Sequence, residues 1–158
     1  MQVVITDANI FIDLYEMDLL EGFFKLPYSI STSVFILEEL DDIKSLVEKV
    51  VTVIPVTDAD LSAMSQIEWP RPFSFPDRTI LYLAKVHQMM VLSGERRMMV
   101  WCKKNELESH GLLYILDAMI TQKVYKPEYV CHQLRKLMDL NMWLPTNLCE
   151  EMIEKWGG

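Results

Sequence analysis

An α/β fold with a central parallel sheet of about five strands, helices on both faces and helices at the C-terminal end is predicted. Two observations predict it. Short β-branched runs alternate with helix-period patterns in the order β-α-β-α-β-α-β-α-β, followed by helices. Half of the 158 residues are hydrophobic, enough for a real core in one domain spanning residues 1–158. Right-handed crossovers then prune the topologies.

Gln2 to Thr6 is the first strand candidate, and Ile10 to Phe24 follows with apolar residues close to helical spacing, stopped by Pro27. Tyr28 to Thr32 is the second strand, with Ser33 as cap of a helix to about Val47. Val50 to Val56 is the third, and its Pro55 suggests an edge or a strand end. Thr57 or Asp58 caps a short helix to about Ile67. The segment WPRPFSFP, residues 69–76, has three prolines in eight residues and reads as a loop. Ser74 and Asp77 match the S-x-x-D helix start, and that helix runs to about His87. Met89 to Ser93 is the fourth strand and Glu95 to Lys104 the next helix. Leu107 to Ser109 is a weak fifth strand. After Gly111 three helices are expected, over Leu112–Gln122, Pro127–Leu140 and Thr146–Trp156.

Net charge is −8, which argues against a general nucleic-acid coat because phosphate binding rewards Lys and Arg. It does not exclude a nuclease. Cys102, Cys131 and Cys149 have no paired spacing and read as free thiols in a reducing cytoplasm. The first residues lack a basic region and soon meet an acid, so no signal peptide is expected. No uncharged run approaches the roughly 18 residues of a membrane helix.

Four acids mark predicted strand ends or helix starts: Asp7, Glu39, Asp77 and Glu95. In a parallel sheet the carboxyl ends of the strands share one rim, and ligands bind in the crevice outside it. Four carboxylates there repel one another unless a hard cation joins them, which points to Mg²⁺ or Mn²⁺. Glu38 and Glu39 are neighbours, and on a helix only one of them can face the site; the E-L step favours Glu39.

The motifs together resemble a PIN domain, and most closely the toxin subunits of VapBC-type toxin–antitoxin pairs. The family's strand followed by D-x-N is matched by Asp7, Ala8 and Asn9. Its strand, small hydroxyl residue and apolar run ending in E-L are matched by Ser31 to Leu40. Its S-x-x-D at a helix start is matched by Ser74 to Asp77. Its strand followed by T-G-D reads Leu92, Ser93, Gly94 and Glu95 here, and Gly111 to Leu116 is similar to the turn before the terminal helices. The order of these pieces over nearly the whole chain carries the resemblance; D-x-N alone would not. Two departures stand out. Glu95 replaces the usual Asp, and Ser93 replaces Thr while keeping the hydroxyl.

The resemblance implies a three-layer α/β/α PIN-like fold and metal-dependent hydrolysis of phosphodiester bonds by an endoribonuclease. Asp7, Glu39 and Asp77 would hold one Mg²⁺ or Mn²⁺, with Glu95 and Asp7 supporting a second. Asn9 would position a carboxylate or a water, and Ser93 would hydrogen-bond within the site. The implied substrate is single-stranded or looped RNA, including tRNA and rRNA. A homodimer neutralised by a small antitoxin is also implied.

Blander roles stand beside these. Asp7 can simply cap the first helix, and most of Glu38 to Asp42 reads as a solvated face. Arg78, Arg96 and Arg97 lie beside the acids and are RNA-contact candidates, with Arg71, Lys103 and Lys104 behind them. His87, His110 and His132 pair with no nucleophile. The methionines suit core packing, and Trp101, Trp143 and Trp156 suit core or interface anchors. The alternative function is a PIN-like binding module that no longer cuts, for which the Glu95 exchange leaves room. A structure-specific DNA nuclease would need basic helices that a chain this short lacks. A response-regulator receiver would need an Asp ending its third strand, where Ile54, Pro55 and Val56 stand.

Overall fold

In the computed structural model, which describes residues 1–71, 73–141 and 144–158, five strands form one wholly parallel sheet. They are β1 (Gln2–Thr6), β2 (Tyr28–Ser33), β3 (Thr52–Ile54), β4 (Met90–Leu92) and β5 (Ser109–His110). The spatial order is β3-β2-β1-β4-β5. The chain therefore builds outward from β1 to β3, then returns past β1 to place β4 on its other side. The reversal puts a topological switch point between β1 and β4. Val4 pairs with Met90, Ile5 with Val91 and Thr6 with Leu92 across it. On the other side of β1, Ile5 pairs with Ser31.

Val4, Ile5, Val91 and Leu92 are fully buried, as expected of a parallel sheet covered on both faces. Around it lie α1 (Ala8–Glu16), α2 (Leu20–Phe24), α3 (Val34–Glu38), α4 (Lys44–Glu48), α5 (Asp58–Ser65), α6 (Phe75–His87) and α7 (Arg96–Lys104). The C-terminal helices are α8 (Leu112–Thr121), α9 (Pro127–Leu140) and α10 (Thr146–Lys155). The helix α6 lies against β1, β2 and β4 and also touches α3. Buried side chains from the sheet and from most of the helices join in one hydrophobic cluster.

Two expected helices are broken. The pattern over Ile10 to Phe24 resolves into α1 and α2, with Asp18 in the left-handed region at φ 56°. In an unbroken helix Leu19 would lie opposite Ile10. The break lets Ile10, Leu14, Met17, Leu19 and Phe23 all reach zero exposure. The helix expected from Ser33 to Val47 likewise divides, into α3, a 3₁₀ turn at Asp41–Ile43 and α4, with Asp41 at φ 41°. Again the break buries Leu37, Leu40, Ile43 and Val47 together. The third strand is shorter than Val50 to Val56, and the fifth falls at Ser109–His110 rather than Leu107 to Ser109, because only residues in register with a neighbour extend the ladder. The sequence readings that fall on Pro72 and Trp143 lie outside the described residues.

The C-terminal helices are tied to the α1–α2 turn by polar side chains. Gln133 Nε2 donates to Met17 O at 2.7 Å, and Gly22 N donates to Tyr125 Oη at 3.1 Å. Trp156 Nε1 donates to Asp117 Oδ1 at 2.9 Å, and Trp101 is buried against Trp69, so both tryptophans anchor packing. Among the described residues no helix is long and apolar enough to cross a membrane.

Candidate metal and nuclease site

Asp7 follows the last residue of β1 and caps α1. Its Oδ1 accepts from Ile10 N at 3.0 Å, the helix-capping role open to any N-terminal Asp. Its other oxygen, Oδ2, accepts from Ser93 Oγ at 2.6 Å. Asp7 N donates to Leu92 O at 3.2 Å, so the carboxylate is pinned at the switch point from both β1 and β4. Only 2% of Asp7 is exposed. Burial pushes its carboxyl up to about 7, against the opposing pull of the hydrogen bonds from Ser93 and Ile10. The charges of Asp77 and Glu95 raise it further.

Ser93 is buried just beyond β4. Its hydroxyl also accepts from Glu95 N at 3.0 Å and approaches Met98 Sδ at 3.4 Å. It thus fixes the turn that ends at Glu95, the exposed residue at the N-cap of α7. The Glu95 side chain makes no capping hydrogen bond.

Asp77 lies in the first turn of α6, which Ser74 caps by accepting from Asp77 N at 3.2 Å. Its carboxyl is half-buried and raised by burial and by Glu95, while the bond from Ser74 lowers it. Glu39 is exposed at the C-cap of α3 and raised by partial burial and by Asp77. The two neighbouring glutamates differ in their surroundings. Glu38 pairs with Lys44 Nζ at 2.8 Å in solvent, while Glu39 feels the charge of Asp77.

Two hydroxyls that the sequence reading passed over as site elements set the distance between α3 and α6. Thr79 donates to Pro76 O, so the Ser33···Thr79 contact of 2.7 Å must use the Ser33 proton. Ser33 in turn accepts from Ile36 N at 3.1 Å. This buried relay locks the start of α3 to the start of α6, the turn that carries Asp77. Ser33 carried a capping signal; Thr79 carried none.

The four predicted acids therefore share one electrostatic neighbourhood: Asp7 with Asp77 and Glu95, Asp77 with Glu95, and Glu39 with Asp77. Asn9 is exposed in the first turn of α1, with no hydrogen bond from its side chain among the described residues. Arg78 is half-exposed, and its Nε is buried without a partner. Arg96 and Arg97 are exposed in the first turn of α7.

As a donor set, four carboxylates suit a hard divalent cation, and none of them joins an ion pair among the described residues. Yet no three Asp, Glu, His or Cys side chains among the described residues are grouped closely enough to hold one ion between them. Asp7 keeps its proton toward neutrality chiefly because it is buried, and the charges of Asp77 and Glu95 add to that.

No curated protein matches the chain significantly. A family model described as DUF3368, a PIN domain, matches residues 3–158. PIN domains are typically nucleases and generally use divalent metals. With its parallel α/β sheet and a match over nearly its full length, the chain belongs to the PIN-domain family.

Proposed function

We propose that the protein is a Mg²⁺- or Mn²⁺-dependent endoribonuclease that hydrolyses phosphodiester bonds of single-stranded or structured RNA such as tRNA. The observation that carries this reading is the buried Asp7 carboxylate, held by Ser93 at the switch point of a PIN fold and within electrostatic reach of Asp77 and Glu95. Asp7, Glu39 and Asp77 would hold the cation only once it drew their carboxylates closer than they stand here, with Glu95 supporting it or a second one. A divalent ion there supplies charge neutralisation at the scissile phosphate and lowers the pKa of the attacking water. The protein's own residues prepare for it. Ser93 orients Asp7 and favours its charged form, while the Ser33–Thr79 hydrogen bond ties the start of α3 to α6, the helix that carries Asp77. Because Asp7 keeps a proton up to about 7, cation binding releases it and becomes pH-dependent. Asn9 is assigned to water or carboxylate positioning, and Arg78, Arg96 and Arg97 to RNA phosphates.

The same reading makes the protein a cytoplasmic toxin, active as a homodimer and held in check by a small antitoxin. The three buried free thiols suit a reducing compartment. The net charge of −8 suits a basic antitoxin tail. The second reading is a PIN-like interaction module without cutting activity. It is favoured by the spread of the carboxylates and by the Glu95 exchange.

Cleavage of a panel of tRNA and unstructured RNA with Mg²⁺ or Mn²⁺ separates them. The nuclease reading expects cutting by wild type that disappears in EDTA and in Asp7→Asn. Folded wild type that binds no Mn²⁺ and cuts nothing supports the interaction module.

A further inference from the structure

Cations are scarce in this chain, with 15 Lys and Arg against 23 Asp and Glu. Four of them nevertheless meet in one place. Arg71, Arg96, Arg97 and Lys104 line a cleft of about 330 Å³ whose apolar walls include Phe73 and Trp101. All four are exposed, and none is in an ion pair among the described residues. Trp101 is buried and stacks on Trp69 with ring centroids 5.3 Å apart, which makes that wall stiff. A second cleft of about 460 Å³ shares Arg96 and Val100 with the first and adds Lys103, together with Glu108, which is paired with His110. Val100, 47% exposed, lines both clefts. The first cleft has no acid in its lining, so its cations repel one another, and a bound polyanion relieves that repulsion.

We infer that the two clefts along α7 form a phosphate track that holds the backbone of single-stranded RNA on one side of the carboxylates. The inference rests on the ribonuclease reading and extends it from the cutting site to where the strand lies. The track begins beside Glu95 and follows α7, which at nine residues is about 13 Å long. That length exceeds the spacing of successive phosphates and suits an extended strand better than one isolated anion. Arginine and lysine on apolar walls supply charge without a pattern of base-edge acceptors, so binding is tolerant of sequence.

The test is fluorescence anisotropy of a labelled 12-nucleotide oligouridylate in EDTA, where binding is read without cutting. Arg71→Gln/Lys104→Gln is compared with Lys49→Gln/Lys126→Gln, which removes the same charge from exposed positions outside both clefts. Thermal melts confirm that both variants are folded. The cleft variant is expected to bind about tenfold more weakly and to lower the salt slope by about 1.4, roughly 0.7 per lost cation. The control is expected to change affinity less than about twofold. Equal binding by the two variants, or no binding by wild type, overturns the track. Retained RNA binding with lost binding of a polyglutamate probe also overturns it, in favour of an acidic peptide partner. The readouts are separable: binding without cutting sinks only the nuclease reading, and cutting with equal variants sinks only the track.

Discussion

The Ser93 hydroxyl donates to Asp7 Oδ2 across 2.6 Å, joining residues 86 positions apart at the ends of β4 and β1. The bond stabilises the charged carboxylate against burial, which pulls the other way. Ser93→Ala should therefore raise the Asp7 titration above about 7 and leave less of it ionised at neutral pH. A hydrogen bond to a charged group is worth about 1.5–3 kcal/mol, so metal-dependent cleavage at pH 7 should fall roughly tenfold or more. It should recover toward alkaline pH. Ser93→Thr keeps the hydroxyl and should restore the profile. A pH–rate curve that drops without moving sideways would assign Ser93 a packing role only.

Stability without divalent metal should decrease as pH rises. In the folded protein Asp7 keeps its proton up to about 7, whereas in the unfolded chain it loses it near the ordinary 3.8. Between those values the folded state binds more protons, so the stability it gains there is lost as pH climbs and is gone above about 7. Each pH unit of such a gap is worth about 1.4 kcal/mol, which makes Asp7 responsible for about 4 kcal/mol at most. Asp13, raised to about 6 by burial and by Glu16, acts in the same direction. Calorimetry in chelator should give a higher Tm at pH 5 than at pH 8. Asp7→Asn should flatten that difference, since Asn caps a helix as well as Asp. A wild-type Tm that is higher at pH 8 would contradict the buried-acid account.

The neighbouring glutamates should separate cleanly. Glu39→Gln removes a carboxylate coupled to Asp77 and should lower metal-dependent activity by about 100-fold. Glu38→Gln breaks only a solvent-exposed contact with Lys44 and should leave activity and Tm nearly unchanged. Equal losses in the two variants would mean that α3 presents a different face to the site.

Gly22 is required by its neighbour rather than by its own backbone. A Cβ there overlaps the ring of Tyr125, whose hydroxyl accepts from Gly22 N. Gly22→Ala should destabilise the fold by about 1–3 kcal/mol in chemical denaturation. Adding Tyr125→Ala should make the double variant more stable than the sum of the two losses predicts. Simple additivity would show that the contact between α2 and the α8–α9 connection is loose.

Periodicity and punctuation made the element order legible. Ser33, Thr57 and Ser74 stand at the caps where their hydroxyls were expected, and Pro127 opens α9. Those signals are local, since each satisfies a backbone donor within one turn. The breaks at Asp18 and Asp41 were not legible, because a left-handed residue is selected by what its flanking leucines bury. Strand limits escaped for a related reason: β3 and β5 end where register with β2 and β4 ends.

The sequence by itself determined which residues stand at strand ends and helix starts, and hence that Asp7, Glu39, Asp77 and Glu95 were candidates. Such positions follow from patterns a few residues long. Only the tertiary structure decided that Asp7 is buried and protonated toward neutrality, that Ser93 reaches it, and that Glu38 turns to Lys44. Those outcomes depend on the strand order β3-β2-β1-β4-β5, which brings distant segments to one rim and which no local spacing encodes.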